Sequence, residues 1–234
     1  MNEIIPIVFL SLGIFQNSFK KGKFTCNNFL LNVYLYIFLT FLLISLSIKE
    51  MDRRHIPSMF FSKSFLHFLG LLFLSIGSLI AVMSISPQHL LGKHLVWLAW
   101  ITIMSYIIYP LYQKNEVLFE MIKMQTFFVL CFFTAFTFWK PHLVSLTWGT
   151  TLVSILLGLI FVRFIMLFFP RQRMLQYAIS YFSVVFFSIF LLYDTKILIK
   201  KAKACVKADY INDSLGVVLD GLNIFTNLFR LRDT

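Results

Sequence analysis

Two aspartates, Asp194 in SIFLLYDTKILIKK and Asp220 in SLGVVLDGLNIFTNLF, stand inside the last two apolar segments of a chain that otherwise keeps acids out of such segments. An ionisable side chain at membrane depth costs several kcal/mol unless it is paired, protonated or wetted, so each is a candidate functional residue. Two facing carboxylates cannot both ionise cheaply in a low-dielectric site. Such a pair can close a pathway while it shares one proton and open it when both groups deprotonate and repel. Two deprotonated carboxylates are also hard oxygen ligands, which makes Asp194 and Asp220 a candidate calcium site rather than a transition-metal one. The alternative is a buried hydrogen-bonded pair that only pins two helices together, since interhelical polar bonds are common in membranes.

The residues around the pair follow the helical period. At 100° per residue, Asp213, Asp220 and Asn227 drift by only about 20° per step of seven, with Asn223 about 60° from Asp220. The last apolar segment therefore carries a polar stripe. In the segment before it, Ser180, Ser183 and Asp194 share one side, with Phe187 in register. Stripes facing lipid would be costly, so the two are expected to face each other or a wet cavity. Counted from Lys200 and Lys207 as the membrane edge, Asp194 lies about six residues deep (~9 Å) and Asp220 about thirteen (~20 Å) on ideal helices. They meet only if a helix is tilted, broken or unequal in length, and Gly216 and Gly221 would permit a break or a close helix approach.

Two cations are candidate counter-charges. Arg163, in LIFVRFIMLFFP, is expected to snorkel toward the break at Phe169 and Pro170, with an aspartate as the other partner open to it. His67 reads as an interfacial histidine, with pH sensing as the alternative. Glu116, Glu120 and Lys123 read as an interfacial ion-pair stripe.

The elements that must position these residues are set by composition. The 234-residue chain is 59% hydrophobic and 13% charged, with 29 Phe and a mean hydropathy of +0.83, well above the roughly 45–50% apolar share of soluble domains. This is the profile of an integral membrane protein. Seven windows supply the roughly 20 apolar residues that a span needs, at about 29–48, 64–85, 94–112, 117–139, 143–169, 175–199 and 209–229. Helices satisfy their own backbone groups in lipid, so the expected fold is all-α, a polytopic seven-helix bundle over residues 29–231 with a short tail at 232–234. Residues 1–28 are read as an N-terminal interfacial segment. Their apolar run from Ile4 to Phe15 follows Glu3 rather than a basic region, unlike a cleaved signal.

The net charge of +11 sits in the short gaps between apolar runs, which points to the lipid bilayer and its anionic headgroups rather than to nucleic acid. Basic residues divide ten against nine between the two sides and do not decide the topology. Cys26, Cys131 and Cys205 match no metal-binding spacing, and no disulfide framework is expected. No cofactor motif is present, and there is no HExxH, GxSxG or phosphate loop, so no enzyme is expected. Tyr193-Asp194 fits half of an intramembrane aspartyl protease signature. Gly216 to Asp220 does not supply the Gly-x-Gly-Asp of its second half, which leaves proteolysis a remote alternative.

The segments FLLNVYLYIFLTFLLISLSI, LQYAISYFSVVFFSIFLLYDTKILIKKAK and DYINDSLGVVLDGLNIFTNLFRL resemble the transmembrane BAX-inhibitor-motif family, the Bax inhibitor and Lifeguard proteins. The last two are similar to its tyrosine-aspartate-threonine and leucine-aspartate-x-x-asparagine-hydrophobic-phenylalanine patterns, in the same order and spacing. The resemblance implies a seven-helix bundle with the last helix central and a pH-sensitive aspartate latch, here Asp194 and Asp220 with Asn223 in the same motif. The resemblance further implies that this latch acts on a calcium leak. The run from Asp213 to Phe225 is particularly similar to the mitochondrial inner-membrane branch, the growth-hormone-inducible transmembrane proteins, associated with calcium–proton exchange and cristae organisation. ER or Golgi membranes are the other compartment the family implies, and regulation of apoptosis is implied by family alone. Members often carry an arginine in the second helix and a glutamate in the third. Here the second offers His67 and the third, HLVWLAWITIMSYIIYPLY, has no acid. The alternative this raises is a non-transporting structural subunit among other membrane-protein subunits.

Overall fold

The computed structural model describes residues 4–20, 23–57, 65–166 and 173–233. The break at Phe169 and Pro170 lies outside the described residues, as does the side chain of His67. Eight α-helices are present among the described residues: α1 (Ile4–Ser18), α2 (Phe29–Arg53), α3 (Phe65–Ser84), α4 (Leu90–Lys114), α5 (Glu116–Trp139), α6 (Trp148–Met166), α7 (Arg173–Lys203) and α8 (Tyr210–Arg232). Two short strands, β1 (Phe19–Lys20) and β2 (Lys23–Phe24), pair antiparallel between α1 and α2 with Phe19 opposite Phe24. The fold is all-α, and among the described residues each of the seven apolar windows overlaps one of the helices α2 to α8.

Five helices, α2, α4, α5, α6 and α7, are long and apolar enough to cross a membrane. In α1 and α3 the apolar stretches Ile5–Ser18 and Leu69–Ser84 are shorter. Asp213, Asp220 and three asparagines dilute the hydropathy of α8, which is not in the apolar group. The outward surface suits lipid rather than water. Phe9, Phe15, Phe73, Phe128, Phe132 and Phe161 are each 64–73% exposed, a density of bare aromatic surface that a water-soluble monomer does not carry.

The chain divides into two compact units, one of Met1–Glu116 with Ala202–Val218 and one of Val117–Lys201 with Leu219–Thr234. In the first, α1 packs on α2, and α4 packs on both α2 and α3. The N-terminal segment is thus a helix and hairpin with buried contacts at Ile14 and Ser18. Asn28 enters α2 in the left-handed region at φ 52°, which asparagine tolerates better than most residues. A ring cluster of Phe24, Tyr36, His94, Trp97 and Tyr210 lies beneath the hairpin, with Phe24 and Tyr210 centroids 5.0 Å apart. Tyr36 Oη and His94 Nε2 are 2.8 Å apart, and Asn32 Nδ2 donates to Tyr210 Oη at 3.2 Å. The second unit is built on Leu152, Phe186, Phe187 and Ile224, with Leu156, Phe190 and Tyr193 packed around them.

One expectation is overturned here. Cys26 and Cys205 form a disulfide, with Cα atoms 5.9 Å apart across a sequence separation of 179. Spacing rules detect local cysteine pairs. This one arises because the α7–α8 connection returns beside the segment that leads into α2, a juxtaposition only the folded chain creates. Alkylation of the unreduced, detergent-solubilised protein should label Cys131 alone, and reduction should bring all three cysteines into the peptide map. Reduction or Cys205→Ser should also lower stability by about 2–4 kcal/mol, the usual range for releasing a long closed loop, read as a fall in the thermal midpoint.

Candidate functional site: a buried carboxylate pair

Helix α8 is buried along its length, with Tyr210, Ile211, Ser214, Val218, Ile224 and Phe229 all at 0% exposure. Asp220 lies in the middle of that helix, 5% exposed, and its Oδ2 has no hydrogen-bond partner. Most buried polar atoms in proteins are satisfied, and one that is not calls for a reason. Asp194, on α7, is half-buried. Its charge acts on Asp220, and that of Lys201 acts on Asp194. The two carboxylates are therefore electrostatically coupled despite their unequal depths in sequence. Among the described residues no hydrogen bond joins them. The helix that carries Asp220 runs unbroken through Gly216 and Gly221.

The rest of the stripe is organised around a cation. Arg163 Nη2 donates to Ser180 Oγ and to Ser183 Oγ, each at 3.4 Å, and to Asn227 Oδ1. Ser183 passes its own hydrogen to the Ile179 carbonyl at 2.7 Å, which leaves its oxygen free to accept. Asn227 Nδ2 donates to the Asn223 carbonyl at 2.8 Å, and Asn223 Nδ2 donates to the Leu219 carbonyl at 2.9 Å. Asparagine amides that bond their own helix four residues back present their oxygens outward, and Asn227 uses its oxygen for Arg163. The guanidinium thus turns toward the serines and Asn227, and it pairs with neither aspartate. Snorkelling toward the helix end is replaced by these three acceptors. Asp213 sits in the first turn of α8, where an acid favours the positive end of the helix dipole, and it belongs to the first unit.

A family model described as inhibitor of apoptosis-promoting Bax1 matches residues 26–232, nearly the whole chain, including the helices that carry both aspartates. The chain belongs to the Bax1-I family. No curated protein matches it.

In this Bax1-I protein the residue before Asp194 is held by a missing side chain. A Cβ at Gly149 would run into the Tyr193 hydroxyl and ring, so the glycine is what lets Tyr193 lie across the start of α6. An open groove of about 580 Å³ adjoins it, edged by the hydroxyls of Thr147, Thr150, Ser154 and Tyr193.

A second polar cluster of the Bax1-I chain went unread in the sequence. Lys93, one of the basic residues in the short gaps between apolar runs, is fully buried at the start of α4. Its ammonium donates to the Val82 carbonyl at 2.8 Å, the Ile85 carbonyl at 2.9 Å, Asp209 Oδ2 at 2.9 Å and Asn212 Oδ1 at 2.8 Å. Asp209 Oδ1 at the same time accepts from the Asn212 N–H at 3.2 Å, capping α8, a bond worth about 1 kcal/mol. The only sequence signal was a lone lysine at the head of a long apolar run. Its acceptors lie up to 119 residues away.

Proposed function

We propose that this Bax1-I protein is a pH-sensitive calcium leak channel or calcium/proton exchanger, gated by Asp194 and Asp220. The observation that carries this reading is the buried Asp220 carboxylate, left without a partner on Oδ2 and coupled to the charge of Asp194. A stabilising pin between helices would be expected to satisfy its own oxygens. A gate needs an acid whose ionisation changes the local balance of forces. In this reading seven helices, α2 to α8, span the bilayer with α8 central, supported by the burial of α8 along its length. The membrane is the mitochondrial inner membrane or that of the ER or Golgi.

Calcium enters as cargo. A resident calcium takes six to eight oxygens, and the described residues hold no group of three or more His, Cys, Asp or Glu side chains suited to a metal. Two carboxylates can pass a hard cation without storing it. In proteoliposomes, calcium flux should rise as both carboxylates deprotonate, and Asp220→Asn should abolish or deregulate that pH dependence. An Asp220→Asn protein whose pH-dependent flux equals wild type would end the gating proposal.

A second reading, a non-transporting accessory subunit, is favoured by two observations. Helix α4 carries no acid, and Arg163 is engaged away from the aspartates. It predicts stoichiometric membrane-protein partners on gentle extraction and no flux. A conducting, monodisperse monomer would reject it.

A further inference from the structure

Arg163 uses one nitrogen of its guanidinium for protein contacts. Nη2 meets Ser180, Ser183 and Asn227, while Nε and Nη1 hydrogen-bond nothing among the described residues. Arg163 is therefore a fork anchored on one side, with no acceptor on its other edge among the described residues. A second guanidinium is placed nearby by the helix: Arg230 stands one turn beyond Asn227 on α8, the residue whose amide oxygen Arg163 bonds, and its charge acts on Arg163. Arg230 closes α8 from an exposed position. Among the described residues no carboxylate pairs with either arginine. Two neighbouring cations without an acid repel one another, and a bound anion removes that repulsion. The edge of a guanidinium matches two oxygens of a phosphate.

The surroundings decide which phosphate. Phe161 and Phe164 on α6 and Tyr177 and Tyr181 on α7 are 64%, 48%, 52% and 64% exposed. Arg163 stands three residues from the end of α6 at Met166. Of these, Phe164 follows Arg163 directly on α6 and Tyr177 lies one turn before Ser180 on α7, so a phosphate seated on the arginines would have exposed aromatic surface of both helices within reach of its hydrocarbon chains. We propose that Arg163 and Arg230 form a binding site for the phosphate of an anionic phospholipid, whose acyl chains lie on the exposed faces of α6 and α7. A zwitterionic lipid carries its own ammonium beside the phosphate and brings no net negative charge to the two arginines, whereas phosphatidylglycerol brings one. This site does not depend on ion transport.

The test is native mass spectrometry of the full chain, in detergent micelles, with added phosphatidylglycerol or phosphatidylcholine. Wild type should retain phosphatidylglycerol in preference to phosphatidylcholine. Arg163→Gln and Arg230→Gln should each weaken that retention roughly tenfold, the loss of one charge-assisted contact. Arg230→Gln leaves the bonds of Arg163 to the serines and Asn227 in place, so a folding defect in the other variant leaves a decisive measurement. Millimolar inorganic phosphate should not displace the lipid, because it gains nothing from the apolar faces. Equal retention of the two lipids, undiminished retention by Arg230→Gln, or displacement by inorganic phosphate would each overturn the proposal.

Discussion

Lys93→Met should destabilise the protein by about 3–5 kcal/mol, the cost of removing one partner from a buried ion pair. The ammonium satisfies four acceptors, two of them the Val82 and Ile85 carbonyls at the end of α3. Methionine fills a similar volume and supplies no donor, so Asp209 loses its counter-charge while the carbonyls and Asn212 lose theirs. Asp209→Asn separates the contributions. It keeps an oxygen for the α8 cap and removes the charge, and a smaller loss is expected. Tryptophan-monitored thermal unfolding in detergent reads both, since Trp97 lies one turn along α4 from Lys93. A Lys93→Met midpoint equal to wild type would show that the cluster contributes nothing net.

The opposite sign is expected at Asp220. Asp220→Leu removes a buried carboxylate with an unpartnered oxygen and replaces it with a side chain suited to its neighbours Leu222, Ile224 and Phe225. Relieving an unsatisfied buried polar group is worth about 1–3 kcal/mol, so the thermal midpoint should rise while pH-dependent flux is lost. Stability gained at the expense of activity is the mark of a residue kept for function. A pin between α7 and α8 predicts a fall in the midpoint instead, and that result would replace the gate with structural glue.

What could be read in advance was whatever repeats locally. Helices emerge from hydropathy because a membrane segment must be apolar for its whole length, and the windows miss the helix ends by a few residues. The Asp220, Asn223 and Asn227 stripe emerges because helical period is a property of neighbours. The two acids emerge because nothing else in their segments resembles them. Lys93 escaped because its burial is decided by carbonyls of α3 and a cap of α8, neither of which leaves a mark near residue 93. Arg163 escaped in part. Its distance from the helix end favoured snorkelling, yet two serines on α7 and Asn227 on α8 offered nearer acceptors. Cys26 and Cys205 escaped for the same reason as Lys93: their relation exists only in three dimensions.

That cystine also works as a counter. Two sulfurs in one covalent bond lie on one side of a bilayer, so the chain between Cys26 and Cys205 must cross an even number of times. All five of the long apolar helices fall between them, and five is odd. The seven-helix arrangement proposed above meets this condition by counting α3, whose 20 residues from Phe65 to Ser84 make roughly 30 Å of helix, the thickness of the hydrocarbon layer. With α3 counted, six passes precede α8 in that proposal, an even number. On the same proposal the α7–α8 connection would lie on a face of the membrane where a disulfide persists, an oxidising one. The bond between Cys26 and Cys205 thereby gives the proposed arrangement a testable orientation, which the near-even spread of basic residues left open.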